Sequence, residues 1–486
     1  VDEYAIVEDG DTVSFGGIPT TMVPISAEEK RWQMAERREE GRPAGMWGSL
    51  VLLTLFQVLT AVQLVVAGGG EANVTIPLTF FVFTCVCWGY FIFMRLFRRI
   101  GFEMETIAFF LCTLSLAVTG STVPDELPKQ LVAILMGMTM FLILGFFLRD
   151  LTRAQKVRWF MGATAVGLLA ITLLIGSSEG GAKAWLRFGS LSLQTSEIAK
   201  ICYIFAGAAT LDRLFAKRNL IFTVLFSAYC VGCLALMSDF GTALVFFVAF
   251  LCIAFLRTGD LPSIVMMTAA AGFAGGLMLH FKPYIADRFT VWRHAWEFAQ
   301  STGYQQTRTM SAVASGGLFG AGPTDAWLKY VGAANTDLVF GVVSEEFGLL
   351  LALCAVAAII LIAVFAITSA ATARSSFYTI ASCAAAAMLT VQVTLNTLGS
   401  VDLLPLTGVT FPFVSMGGSS TLSCWSLMAF LKAADTRQNA SFALRLPKRR
   451  PKTKPEPPKA KPSNGFFDEI PDIPVDEIFG KEDKPE

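Results

Sequence analysis

The chain has 486 residues, 54% of them hydrophobic and only 16% charged, with a mean hydropathy of +0.58. That balance excludes an ordinary soluble domain and favours a polytopic membrane protein whose solvent is the bilayer. A formal net charge of +0 removes any global case for nucleic-acid binding, and 10 Cys without a repeated Cys-x-x-Cys spacing, beside 2 His, support neither a zinc site nor a disulfide framework.

Residues 1–45 are polar and read as a cytoplasmic arm with a helical candidate at Ala27–Glu40. The first apolar run starts near Met46 behind a charged segment, unlike a cleavable signal peptide. A helix needs roughly 20 apolar residues to cross about 30 Å of hydrocarbon, and about twelve stretches qualify. They are 46–68, 76–97, 104–122, 130–148, 157–176, 196–215, 219–237, 240–257, 262–281, 337–368, 377–398 and 411–432. The stretch 337–368 is too long for one perpendicular helix, so it is tilted, broken or extends beyond the membrane. The fold class expected is therefore an all-α polytopic membrane protein with a transmembrane domain over 46–435 and a disordered cytoplasmic tail over 436–486.

Orientation follows from Lys and Arg in the short loops. With the N-terminus inside, the cytoplasmic loops include 95–100, 149–158, 212–219 and 257–260, all basic, and the basic run 445–454 also falls inside. The opposite loops include 69–75, 121–129, 177–196, 237–241, 399–410 and the large extracytoplasmic loop 282–336. Roughly fifty residues is far longer than an ordinary connection, and loops of that size are usually functional or disordered. Its Trp292, Trp296 and Tyr304 argue against disorder.

Ionisable groups at membrane depth are costly unless they face a cavity or a partner. Glu197 and Lys200 stand three residues apart and share a helix face, as a functional pair or a structural one. Asp239, in MSDFGTAL, is a functional carboxylate or simply the N-cap of the next helix. Asp337, Glu345 and Glu346 lie on one apolar stretch, where they suit a bound cation or a Lys/Arg partner such as Lys200 or Arg187. Pro405, Gly408 and Pro412 break helix geometry, which near a membrane is tolerated where backbone lines a cavity or packs within protein. Beyond them Ser415, Gly417, Gly418, Ser419 and Ser420 offer hydroxyls and close backbone approach, for a ligand or for a capped helix start.

Five segments occur together in one order: GAKAWLRFGSLSLQTSEIAK (181–200), SDFGTA (238–243), GYQ…ASGGLFGAG (303–322), TDLVFGVVSEEFG (336–348) and NTLGSVDLLPLTGVTFPFVSMGGSS (396–420). In this the chain resembles the SEDS family, which includes FtsW, RodA and SpoVE. The resemblance implies the family's core preceded by two extra N-terminal spans. It also implies a glycosyltransferase of cell division or cell elongation that polymerises peptidoglycan strands from lipid II, an undecaprenyl diphosphate-linked disaccharide-peptide, at the outer face of the plasma membrane. Partners would be a penicillin-binding transpeptidase and other divisome or elongasome membrane proteins.

In such a reaction a sugar hydroxyl loses its proton as it attacks an anomeric carbon and a diphosphate departs. A carboxylate serves as general base, and cationic groups or a divalent cation stabilise the leaving diphosphate. The outer loops offer Lys183, Arg187, Arg288, Arg293 and Arg308 as cations, and Tyr304 and Gln305 fall on the family's Gly-Tyr-Gln. The family's loop Asp, however, corresponds to Phe298, which leaves neighbouring Glu297 as the candidate base, with Asp239 the second catalytic candidate. Ala184, Thr195, Ser238, Arg308 and Met416 also depart from the family's letters. Two other readings follow: a non-catalytic scaffold that positions a transpeptidase, and a transporter of lipid-linked precursors.

Overall fold

The computed structural model describes residues 12–15, 18–21, 46–437 apart from 69–73, 98, 100, 180, 190, 212–216, 282–287 and 374, and residue 442. The helix expected over 27–40, most of the N-terminal arm and nearly all of the tail lie outside the described residues. In chain order the helices are α1 Met46–Ala67, α2 Thr75–Leu96, α3 Glu103–Thr122, α4 Leu127–Phe147, α5 Leu151–Ile175, α6 Thr195–Leu211, α7 Lys217–Leu236 and α8 Phe240–Thr258. They continue with α9 Leu261–Phe281, α10 Tyr304–Gly316, α11 Val339–Phe347, α12 Leu349–Ala371, α13 Ser376–Ser400 and α14 Gly418–Ala433.

Every predicted apolar stretch contains a helix, although the structure does not confirm twelve as the number of membrane spans. Among the described residues 8 helices are long and apolar enough to cross a membrane, namely α1 to α5, α8, α12 and α13. Helix α6 has 17 residues and α14 has 16, so at 1.5 Å per residue each rises about 25 Å or less, short of about 30 Å of hydrocarbon. Their missing turns are replaced by other backbone: strand before α6 and the Pro-interrupted segment 411–417 before α14. The long stretch 337–368 is broken, dividing into α11 and α12 at Gly348, whose φ is +96°. A Cβ there would meet the Leu318 carbonyl oxygen, so only glycine serves both the left-handed backbone and the close approach.

The all-α expectation misses two small antiparallel sheets. One pairs β1 Thr12–Phe15 with β2 Ile18–Thr21, and the other orders β3 Ser177–Glu179, β4 Ala182–Phe188 and β5 Leu191–Gln194 as 3-4-5. In β4 the side chains of Ala184 and Leu186 are buried while Arg187 is exposed, the period-2 alternation of a strand with one covered face.

Helix α14 packs closely against α4. Trp425 of α14 is wholly enclosed, with ring centroids 5.6 Å from Phe109, 5.6 Å from Phe141 and 5.7 Å from Phe413. Gly137 of α4 lies under the indole, which leaves no room for a larger residue. At the outer surface of the bundle Leu52, Leu55, Phe81, Phe160, Leu174 and Leu361 are exposed, as they must be where lipid rather than water is the solvent. One end is locked by buried charge: Lys432 Nζ lies 3.4 Å from Glu105 and 3.4 Å from Asp435, and donates to the Gly101 carbonyl at 2.7 Å. Arg437 forms a two-pronged pair with Glu103, both contacts at 3.1 Å.

Candidate functional site

Four segments meet around a set of buried charges: the first turns of α6, the start of α8, residues 333–338 and the irregular segment 402–417. On α6, Lys200 Nζ lies 2.7 Å from Glu197 Oε2, with 2% and 3% of the two side chains exposed. The expected i, i+3 pair therefore forms, and it is deep.

Asp239 is the N-cap of α8, accepting the Thr242 amide at 3.1 Å through Oδ1. Its Oδ2 is buried without a hydrogen bond, and the carboxyl lies in the field of Lys200 and of Glu197. Burial holds its pKa above the usual carboxylate range, outweighing the Thr242 hydrogen bonds and the attraction of Lys200. Asp239 is thus the N-cap of α8, with its carboxyl also in the field of the charge pair. Ser238 takes a φ of +63° to turn the chain there. Gly241 is pressed against Thr407 and Val409, so the start of α8 and the 402–417 segment touch where a side chain would intervene.

Asp337 sits at the opposite wall, immediately before α11. Burial raises its pKa too, opposed by a hydrogen bond with Thr336 and the positive charge of Arg288, and reinforced by Asp239. Arg288 donates to the Leu406 carbonyl at 2.9 Å, Trp292 Nε1 to the Leu403 carbonyl at 3.1 Å, and the Arg293 amide to Asp402 at 3.1 Å. The start of the long loop is thus stitched over the irregular segment. From α13, Asn396 Nδ2 bridges the carbonyls of Asp337 at 2.9 Å and Val409 at 2.8 Å. The Ser415 hydroxyl accepts the Phe411 amide at 2.8 Å and donates to the Thr336 carbonyl at 2.5 Å. Gly417 donates its amide to Gln130 at 3.2 Å, and Gly418 begins α14 beside Ala133. Ser415 and Gly417 are therefore engaged in holding the segment's shape.

The other expected residues fall elsewhere. Glu345 and Glu346 do not pair with Lys200 or Arg187. Glu345 accepts the amides of Trp327 at 3.1 Å and Leu328 at 2.9 Å, while Glu346 accepts the Ser121 hydroxyl. Both follow from the break at Gly348, which puts these carboxylates on the short helix α11 against the loop 321–328 and the end of α3. Lys183 donates Nζ to the carbonyls of Leu173 at 2.8 Å and Leu174 at 3.1 Å, closing the end of α5. Arg187 is exposed on β4. Tyr304 and Gln305 open α10: the Arg308 guanidinium lies 5.1 Å from the Tyr304 ring centroid, and Gln305 donates to the Gly332 carbonyl at 3.1 Å. Glu297 is exposed on the loop surface, where its carboxylate makes no hydrogen bond or ion pair among the described residues.

Gln130, Thr407 and Ser121 are the partners that sequence reasoning missed. Gln130 had a signal, a lone amide in the apolar run of α4, whereas Thr407 and Ser121 stand in polar loops and helix ends where hydroxyls are commonplace. Among the described residues no group of three or more His, Cys, Asp or Glu side chains gathers to hold a metal ion.

The profile of the FtsW/RodA/SpoVE family, described as cell cycle protein, matches residues 106–440. A peptidoglycan glycosyltransferase RodA of Mycobacterium leprae (strain TN) is 28% identical over 323 residues, 62% of this chain and 68% of that protein. A probable peptidoglycan glycosyltransferase FtsW of Pseudomonas fluorescens (strain SBW25) is 30% identical over 289 residues, 57% of this chain and 71% of the relative. Among solved structures, a chain from a peptidoglycan synthase complex that coordinates polymerization and crosslinking superposes with a TM-score of 0.56 at 24% identity, over 68% of this chain and 95% of that one.

Proposed function

This chain belongs to the FtsW/RodA/SpoVE family of bacterial membrane proteins, and from that premise we propose that it is a peptidoglycan glycosyltransferase acting on lipid II at the outer face of the plasma membrane. The observation that carries the reading is the buried charge set itself: an ion pair of Glu197 and Lys200, with Asp239 in its field, beneath a segment clamped to an outer loop. Buried charge that does no work is an expense that helical membrane proteins avoid, and such groups mark substrate pathways.

In the proposed reaction the sugar hydroxyl of one lipid-linked unit attacks the anomeric carbon of the other. A new glycosidic bond forms, the bond to the diphosphate breaks, and the hydroxyl proton passes to a carboxylate. Glu297 takes that proton as general base: it is exposed on the long loop, where an aqueous sugar is met. Arg288, fixed by the Leu406 carbonyl, supplies positive charge toward the departing diphosphate. Lys200 stays paired with Glu197 beneath it, with Asp239 in their field and Asp337 in the field of Arg288. A penicillin-binding transpeptidase is the crosslinking partner, in keeping with the synthase complex among the structural relatives.

A second reading has its own observation. Phe298 occupies the position of the family's loop Asp, which favours a scaffold that positions a transpeptidase without polymerising. The two are separated by supplying lipid II and the transpeptidase to the purified protein and measuring glycan product. Polymer made by the wild type supports the enzyme; no polymer from a folded, lipid II-binding protein, together with full complementation by Glu297→Ala, supports the scaffold.

A further inference from the structure

Helices α1 and α2 lie before the region matched by the family profile, which begins at residue 106, and none of the site described above uses them. At one end of this hairpin a groove opens, lined by Trp47, Leu50, Trp88, Phe91, Ile92 and Arg95. We propose that this groove holds one anionic phospholipid of the cytoplasmic leaflet, with the headgroup phosphate on Arg95 and an acyl chain across the exposed faces of Trp47 and Ile92.

Three features commit the groove to that occupant. The first is charge. Arg95 is exposed and makes no ion pair among the described residues. The nearest acidic residues in the chain, Glu103 and Glu105, are already engaged: Glu103 by Arg437 at 3.1 Å, and Glu105 by Lys432 at 3.4 Å and the Tyr90 hydroxyl at 3.2 Å. The positive charge at the groove mouth is left for a ligand.

The second feature is preorganisation. Arg95 lies 4.8 Å from the centroid of the Trp47 ring, Trp47 and Trp88 stand 6.1 Å apart, and Trp88 Nε1 donates to Thr54 at 2.9 Å. Cation–π contact and an anchored indole hold the guanidinium at the level where tryptophans meet lipid headgroups. The third is placement, since the basic loop 95–100 puts this end of the hairpin at the cytoplasmic face by the positive-inside rule, where anionic lipids attract exposed Lys and Arg. A protein helix seated in the groove would have to bring its own acidic side chain to satisfy Arg95.

Native mass spectrometry of the full-length protein in detergent, titrated separately with phosphatidylglycerol and phosphatidylcholine, tests the proposal. The wild type should retain one phosphatidylglycerol in preference to phosphatidylcholine. Arg95→Gln and, independently, Trp47→Leu should each weaken that retention about fivefold or more while the melting temperature holds, and Arg257→Gln, at the same face on α8, should not. Equal retention of the two lipids, unchanged retention in Arg95→Gln and Trp47→Leu, or an equal loss in Arg257→Gln would overturn it.

Discussion

Lys200 Nζ and Glu197 Oε2 face each other at 2.7 Å with almost none of either side chain exposed, and Asp239 stands in their field. A pair so buried gains its attraction only by giving up hydration on both sides. Removing one partner therefore leaves an uncompensated charge, and breaking such a pair costs about 3–5 kcal/mol. Glu197→Gln and Lys200→Met are each expected to lower the melting temperature sharply and to abolish glycan polymerisation. The double variant Glu197→Leu/Lys200→Met should regain much of the stability and none of the activity, in thermal shift and polymerisation assays run side by side. Recovery of both would reduce the pair to a structural device.

Asp337 carries a stability signature of its own. Burial raises its folded pKa above that of the unfolded chain, so between those two values the folded state binds more protons and stability falls as pH rises. Above its folded pKa the ionised group is a net burden that function retains. Asp337→Asn should then be at least as stable as wild type at pH 7, and the advantage should shrink as pH falls through the folded pKa. Apparent melting temperatures across a pH series check this. An Asn variant that is less stable at pH 7 and equal at low pH would contradict it.

Gly241 keeps α8 in contact with Thr407 and Val409. A valine there forces the 402–417 segment away from Asp239, and overpacking of this kind typically costs about 1–3 kcal/mol. Gly241→Val should retain its fold in mild detergent yet lose at least about tenfold in polymerisation. Gly348→Ala should lose more stability, since a left-handed backbone and a close carbonyl both oppose the new methyl group. Limited proteolysis of the loop 316–328 reports that second effect directly.

Lys432 closes the far end of the bundle through Glu105 and Asp435. Lys432→Met should destabilise the protein by about 3–5 kcal/mol, while the polymerisation rate per folded molecule stays close to wild type. A variant that folds normally but makes no product would place this cluster within the site's mechanism.

Much of this architecture was legible because apolar run length is a strong signal: each stretch predicted from 46–68 to 411–432 holds a helix. Strand β4 carries its alternation in Ala184 and Leu186, within the connection between α5 and α6. The place where 337–368 breaks was not legible, because the close approach of Leu318 to Gly348 joins residues 30 positions apart. For the same reason Glu345 looked like an intramembrane carboxylate facing a cavity, when it accepts two backbone amides from Trp327 and Leu328. The pairing of Glu197 with Lys200 needed only local helix geometry, and so it was readable; the coupling of Asp337 with Arg288 and Asp239 depends on three distant segments and was not.

The most direct measurement is glycan polymer formed from lipid II by wild-type protein and by Glu297→Gln, each reconstituted with the same transpeptidase and matched for folded protein. Wild type should polymerise, and loss of a general base should lower the rate by about 100-fold or more in the variant. Equal product from both proteins would contradict the assignment of the base, and no product from the folded wild type would contradict the enzyme itself.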